Sequence, residues 1–287
     1  MNASAIALAI MPAMLQCASP AGSGYNEEWA IKLRAGMVFH GLELETNLKN
    51  KDTIKKVSID IGGTPIVSPS GKILNLIDDL YAKHKADGRL VLNLAKFECR
   101  SPQGIYKTAL ATSIFDDVTL KVEFGSRNTT DADSANHDPA VPTLKAKGYM
   151  SENPMANVAG GGRKFLPIQY ELTQISAAAG KHDWIFPSGS VNRSLQRLIL
   201  DESEVSISRV IVKRGAKVIR EMTRSDIDFG NSRYADAVSV PGFLLIDFIQ
   251  FGFGANDAIT TEGLNFEFEV DGPGAIRTFV DGFDRIA

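Results

Sequence analysis

The sequence predicts an all-β chain of two tandem eight-stranded jelly rolls (a double jelly roll), each with one short inserted helix. Three observations carry this. Val57, Ile59 and Ile61 alternate with Ser58 and Asp60 until Gly62-Gly63, and a short apolar step, a helical stripe and a second strand follow up to Phe97. The same order returns with Val210-Ile211-Val212, Gly215, Val218-Ile219, a polar stretch from Thr223 to Ala235 and an apolar run from Phe243 to Phe253; the steps from Val57 to Val210 and from Leu90 to Phe243 are equal. Both copies close in a clean alternation, Val118, Leu120, Val122 and Phe124 in the first and Leu264, Phe266, Phe268 and Val270 in the second. Internal duplication accounts for all three, with chance likeness between two β-rich segments as the competing explanation.

Taken in order, residues 1–26 are expected to form an N-terminal arm. Ala3 to Leu15 is apolar, but no Lys or Arg precedes it, Pro12 interrupts it and it is too short to span a bilayer; a cleaved secretion signal is the alternative. The first jelly roll is expected over 27–150. Trp29, Ile31 and Leu33 alternate, Val38 to Glu45 gives a second strand, and the organising stretch follows. Within it Ser68-Pro69-Ser70-Gly71 supplies a cap, Ile73, Leu76, Ile77, Leu80, Tyr81 and His84 fall on one helical face, and Asp87-Gly88 ends the helix before the strand from Leu90 to Phe97. Gly125 to Pro142 carries almost no large apolar residue and reads as an exposed excursion. Residues 151–162, ending in three glycines, are expected as a linker, and 163–287 as the second jelly roll. Ala177 to Gly180 reads as a turn or spacer, and Gly274 to Asp284 as a closing strand.

With 44% hydrophobic and 23% charged residues the composition is that of a soluble globular protein. A net charge of -3 without a basic cluster argues against specific nucleic acid binding. Cys17 and Cys99 show neither metal-ligand nor redox spacing and read as free thiols. His40, His84, His137 and His182 are scattered without a partner at a recognisable spacing, so no catalytic residue is assigned.

Asp131, Asp133, Asn136 and Asp138 are the one metal candidate, oxygen ligands close together as a hard cation requires. The glycine and terminal glutamate of a helix-flanked calcium loop are missing, so a solvated acidic loop competes, and a structural Ca²⁺ is the only cofactor considered. Gly160-Gly161-Gly162-Arg163-Lys164 lacks the spacing of a phosphate loop. Glu267, Glu269 and Asp271 share one strand face and read as its polar side. Trp29, Phe39, Trp184 and Phe186 suit core or subunit contacts better than a sugar platform.

The segment "IKKVSIDIGGTPI…NLIDDLYAKHK…GRLVLNLAKFECR", together with "VIVKRGAKVIREM" and "FLLIDFIQFGF" in the second copy, resembles the major capsid proteins of corticovirus-like, membrane-containing tailless bacteriophages, the double jelly-roll lineage. Asp60 to Gly63, Leu74 to Leu80 and Arg89 to Phe97 occupy the places of that family's strand end, helix and basic step into a strand. The resemblance implies a structural coat protein without enzymatic activity, working as a pseudo-hexagonal homotrimer in a trimer lattice that tiles an icosahedral shell around an internal membrane. Implied partners are other copies of the chain, minor capsid and vertex proteins, and the lipid membrane through the N-terminal arm. The implied location is the virion capsid, assembled in the bacterial host cytoplasm. The alternatives are a secreted tandem jelly-roll hydrolase of peptide N-glycosidase type, which needs a cluster of Asp and Glu at the groove between its two sandwiches and a secretion signal, and a carbohydrate-binding β-sandwich.

Overall fold

The computed structural model describes residues 12–286. They form two compact units. One comprises the chain up to Asp78 with His84–Ala95 and Thr108–Pro167; the other comprises Asp79–Lys83, Lys96–Lys107 and the chain from Ile168 onward.

In chain order the first half contains β1 (Ala13–Gln16), β2 (Glu28–Lys32), β3 (Met37–Thr46), β4 (Ile54–Ile61), β5 (Thr64–Val67), helix α1 (Gly71–Leu80), β6 (Arg89–Asn93), helix α2 (Pro102–Tyr106), β7 (Leu110–Ala111), β8 (Val118–Phe124) and β9 (Leu144–Glu152). The second half contains β10 (Phe165–Ser176), β11 (Gly180–Ile185), β12 (Arg193–Asp201), β13 (Ile207–Arg214), β14 (Lys217–Thr223), helix α3 (Arg224–Tyr234), β15 (Phe243–Asp247), β16 (Ile259–Thr260), β17 (Leu264–Val270) and β18 (Gly274–Arg285). In the first unit one sheet is ordered β1-β9-β3-β6, with β7 beside β3, and the other β5-β4-β8-β2. In the second the orders are β10-β18-β12-β15, with β16 beside β12, and β14-β13-β17-β11. The two lists correspond strand for strand, which is jelly-roll connectivity used twice.

Each sandwich closes over its own core, because the alternation turns one face of every strand inward. Ile31, Phe39, Leu42, Val57, Ile59, Leu90, Leu92, Leu120 and Leu144, drawn from both sheets, share the first core. Leu198, Leu200, Val210, Val212, Leu244, Phe266, Phe268 and Val280 share the second. Both inserted helices begin at a hydroxyl cap. Ser70 Oγ accepts from Ile73 N at 3.3 Å, and Thr223 with Asp226 forms a full capping box. Gly71 is required sterically, since a Cβ there would lie 2.3 Å from the Lys51 carbonyl. No helix among the described residues is long and apolar enough to cross a membrane.

Several expectations need correction. Residues 13–16, placed in the arm by the sequence, form β1 and pair antiparallel with Lys147–Met150 of β9; residues 1–11 lie outside the described residues. Helix α1 stops at Leu80 instead of running on to Asp87-Gly88, with Ala82 at φ 47°. The chain leaves the helix because Leu80 O accepts from Val238 N and the Tyr81 hydroxyl donates to Asp247. Strand β6 ends at Asn93 because the Leu94 and Ala95 amides both donate to His40 O, at 3.0 and 2.7 Å, across a register slip in β3. Strand β15 ends at Asp247, whose carboxylate accepts from Ile249 N and opens a turn. Gly180–Ile185, beyond the expected spacer, is β11. The segment expected as a linker is held to the first unit: Asn153 Nδ2 donates to Thr112 O and Gly161 O at 2.9 and 2.8 Å.

His40 carries a pH prediction. Its side chain is buried, Nε2 lies 3.0 Å from Ser151 Oγ, and burial pulls its pKa down to about 4. An unfolded histidine titrates near 6.5, so below that pH the unfolded chain takes up a proton that the folded one refuses. The stability His40 contributes is therefore complete above about 6.5 and is lost as pH falls toward 4. Replacing His40 by Gln should flatten the unfolding midpoint between those two pH values. An unchanged pH slope would assign the slope to other groups.

Candidate functional site

The acidic loop is placed by one residue. Asp138 is fully buried, and its Oδ1 accepts from Lys49 N and Asn50 N, both at 2.9 Å. Its Oδ2 accepts from Thr53 Oγ1 and from Asn128 N, the latter at 3.2 Å. Arg127 Nε and the Tyr25 hydroxyl donate to the neighbouring carbonyls of Asp138 and Pro139 at 2.8 and 2.6 Å. Asp131, Asp133 and Asn136 are exposed. Asp131 Oδ1 accepts from Asp133 N, and Asp133 Oδ1 from Ala135 N, each at 2.9 Å, the local turns that short acidic side chains favour. The four expected ligands therefore do not converge: Asp138 points inward to four protein donors, while Asp131 and Asp133 cap local turns. Among the described residues no group of three His, Cys, Asp or Glu side chains is placed to hold a metal ion. A fully buried Asp in an otherwise polar loop is the signal that sequence reasoning missed, because nothing local marks which of three aspartates turns inward.

The acidic alternation on β17 is also engaged. Glu267 is buried between Lys181, 2.8 Å away, and Lys213, and hydrogen bonds from these two ammonium groups hold its carboxyl below the ordinary range. Arg209 pairs with Glu221 and lies 3.9 Å from Glu269. This is an ion-paired sheet face with no free acid/base pair on it. The aromatic positions pack inward as well: Trp29 lies 4.8 Å from Phe124, Phe39 is fully buried, and Trp184 stands 5.5 Å from Phe186 and 5.3 Å from Phe266.

The second unit does gather carboxylates, Asp247, Asp281 and Glu98, but around two cations. Lys96 Nζ donates to both Asp281 oxygens at 2.7 and 2.6 Å, and Arg197 pairs with Glu98 and lies 3.6 Å from Asp247. Burial pushes the Tyr81 phenol well above its ordinary range, so it stays a donor to Asp247 at 2.7 Å. The cluster is sealed and each of its carboxylates faces a cation, the opposite of an open acidic groove such as a hydrolase needs. What the surface offers instead is apolar: Ile114 and Phe115 in the first unit, and Ile175, Ile185, Phe229, Phe251 and Phe253 in the second, are all exposed.

Comparison with known proteins agrees with this geometry. Residues 14–151 match the viral coat protein P2 N-terminal domain and residues 166–286 the viral coat protein P2 C-terminal domain. Among solved structures, the major capsid protein P2 from bacteriophage PM2 is similar at 14% identity and TM-score 0.79, over 96% of this chain and 98% of that one. The STIV MCP is similar at 10% identity and TM-score 0.64, over 96% of both chains. The PBCV-1 virus capsid protein is similar at 11% identity and TM-score 0.61, over 95% of this chain and 93% of that one. No curated protein sequence matches. The likenesses bear out the double jelly roll and the resemblance drawn from the sequence, and with both domains matched in order the chain belongs to the viral coat protein P2 family, whose members are structural capsid proteins.

Proposed function

We propose that this major capsid protein works as a homotrimer whose six jelly rolls give a pseudo-hexagonal footprint, and that such trimers tile an icosahedral shell around an internal membrane. The observation that carries the reading is the strand-for-strand repetition of one jelly roll within one chain. A threefold object built from duplicated units presents six similar sides and so fits a hexagonal lattice. The exposed apolar side chains of both units supply contact surface for neighbouring copies and for minor capsid and vertex proteins. The chain carries no charged residue before Glu27, and β1 exposes Met14 and Leu15, a composition suited to lipid or to an apolar neighbour. Assembly takes place in the bacterial host cytoplasm, where Cys17 and Cys99 remain thiols.

The test is the mass of the purified protein by light scattering behind a sizing column. Three chain masses are expected at micromolar concentration. A stable monomer would overturn the trimer and with it the hexagonal footprint.

A further inference from the structure

In the second unit three strands carry a charged row. Arg197 on β12 stands opposite Asp247 on β15 and opposite Asp281 on β18. Arg197 precedes Leu198 and is two residues before Ile199, while Leu198 and Leu200 belong to the second core. By alternation the row therefore lies on the sheet face turned away from that core, beside the row of Ile199, Leu245 and Phe279. That outer face is buried as well: Arg197, Asp247 and Asp281 are each no more than 5% exposed, and so are Ile199, Leu245 and Phe279.

Taken with the strands alone, this row holds one cation against two carboxylates. Two segments from the first half of the sequence, both part of the second unit, complete it. Lys96, 3% exposed, supplies the second cation and grips both Asp281 oxygens. Glu98 takes the outer edge of Arg197. Tyr81 lies under the Arg197 guanidinium, 4.6 Å from ring centroid to Cζ, while its hydroxyl donates to Asp247. Gln169 Nε2 adds a donor to Asp281 at 3.3 Å. The same segments are anchored by backbone bonds, Arg100 N to Gly252 O at 2.9 Å and Val238 N to Leu80 O at 2.7 Å.

We infer that this cluster is a lock that makes the second jelly roll's fold conditional on residues 79–83 and 96–107. Without them the row on β15-β12-β18 keeps an unbalanced buried carboxylate, and a buried charge stripped of its partner is strongly destabilising. The first half is synthesised first, so the lock pieces precede the strands they complete, and a chain in which they fail to dock leaves the second sandwich unfinished. The lock therefore couples the two halves of the sequence in one cooperative event, independently of how the subunits assemble.

The test uses the full chain with Lys96→Met and with Lys96→Met combined with Asp281→Asn, followed by hydrogen exchange. In the unaltered protein the amides of 96–107, β12 and β18 should open together. Lys96→Met should speed exchange in all three by about tenfold or more, and the double variant, which restores one cation to one buried carboxylate, should bring β12 and β18 most of the way back. Fast exchange of 96–107 with β12 and β18 still protected would overturn the lock, and so would equal exchange in the single and double variants. Should Lys96→Met prove insoluble, soluble folded double variant is the expected result, and an insoluble double variant would sink the proposal.

Discussion

Replacing Phe266 by alanine should lower the stability of the second jelly roll by about 3–5 kcal/mol, the largest single-residue effect expected in the chain. Phe266 is 1% exposed on β17 and sits at the centre of an aromatic cluster. Its ring lies 5.3 Å from Trp184, 5.8 Å from Phe268, 6.4 Å from Phe248 and 6.5 Å from Phe186. Truncation would remove contacts with four rings and leave a cavity that these stiff neighbours cannot collapse to fill. Chemical denaturation followed by tryptophan fluorescence reads the change, since Trp184 is a member of the cluster. A loss under about 1 kcal/mol would mean that the second core is not packed as described. Phe229 on α3 is the control: 66% exposed, it should change stability by no more than about 0.5 kcal/mol when replaced by alanine, and any effect should fall on association between subunits.

Asp138→Ala should destabilise the first jelly roll by about 3 kcal/mol or more, although the residue lies in the most polar loop of the chain. The substitution leaves Lys49 N, Asn50 N, Thr53 Oγ1 and Asn128 N without their acceptor. Asp138→Asn keeps one acceptor oxygen but turns an amide toward donors, so it should recover only part of the loss. Because both carboxylate oxygens are taken by protein donors, a chelator should leave the unfolding midpoint of the unaltered chain unchanged. A drop on chelation matching that of Asp138→Ala would instead place a cation at the loop.

The two aspartate positions that matter most, 138 and 281, show where sequence reading stops. Charged residues are ordinarily exposed, so an Asp in a loop or after an apolar strand reads as surface. Arg197 meets Asp247 and Asp281 only through strand register, and Lys96 joins them only because a first-half segment belongs to the second unit. Strands β1 and β11 escaped for a related reason: all four residues of β1 are exposed, and β11 is exposed except at half-buried His182 and Trp184, so neither shows an apolar-polar alternation strong enough to mark it. The end of α1 was misplaced because the apolar stripe continues through Tyr81, whose side chain is used by Asp247 and not by the helix.

By itself the sequence determined the strand type of most elements, the duplication, the jelly-roll count and the capsid family. The first three rest on local alternation, on turn glycines and on the equal step between copies, while the family rests on the resemblance of whole motif segments to known coat proteins. The tertiary structure alone decided which carboxylates are buried, which segments of the first half complete the second sandwich, and which apolar residues remain outside. The physical reason is that burying a polar group is tolerable only when its partners arrive with it, and here those partners come from strands and loops far apart in the chain.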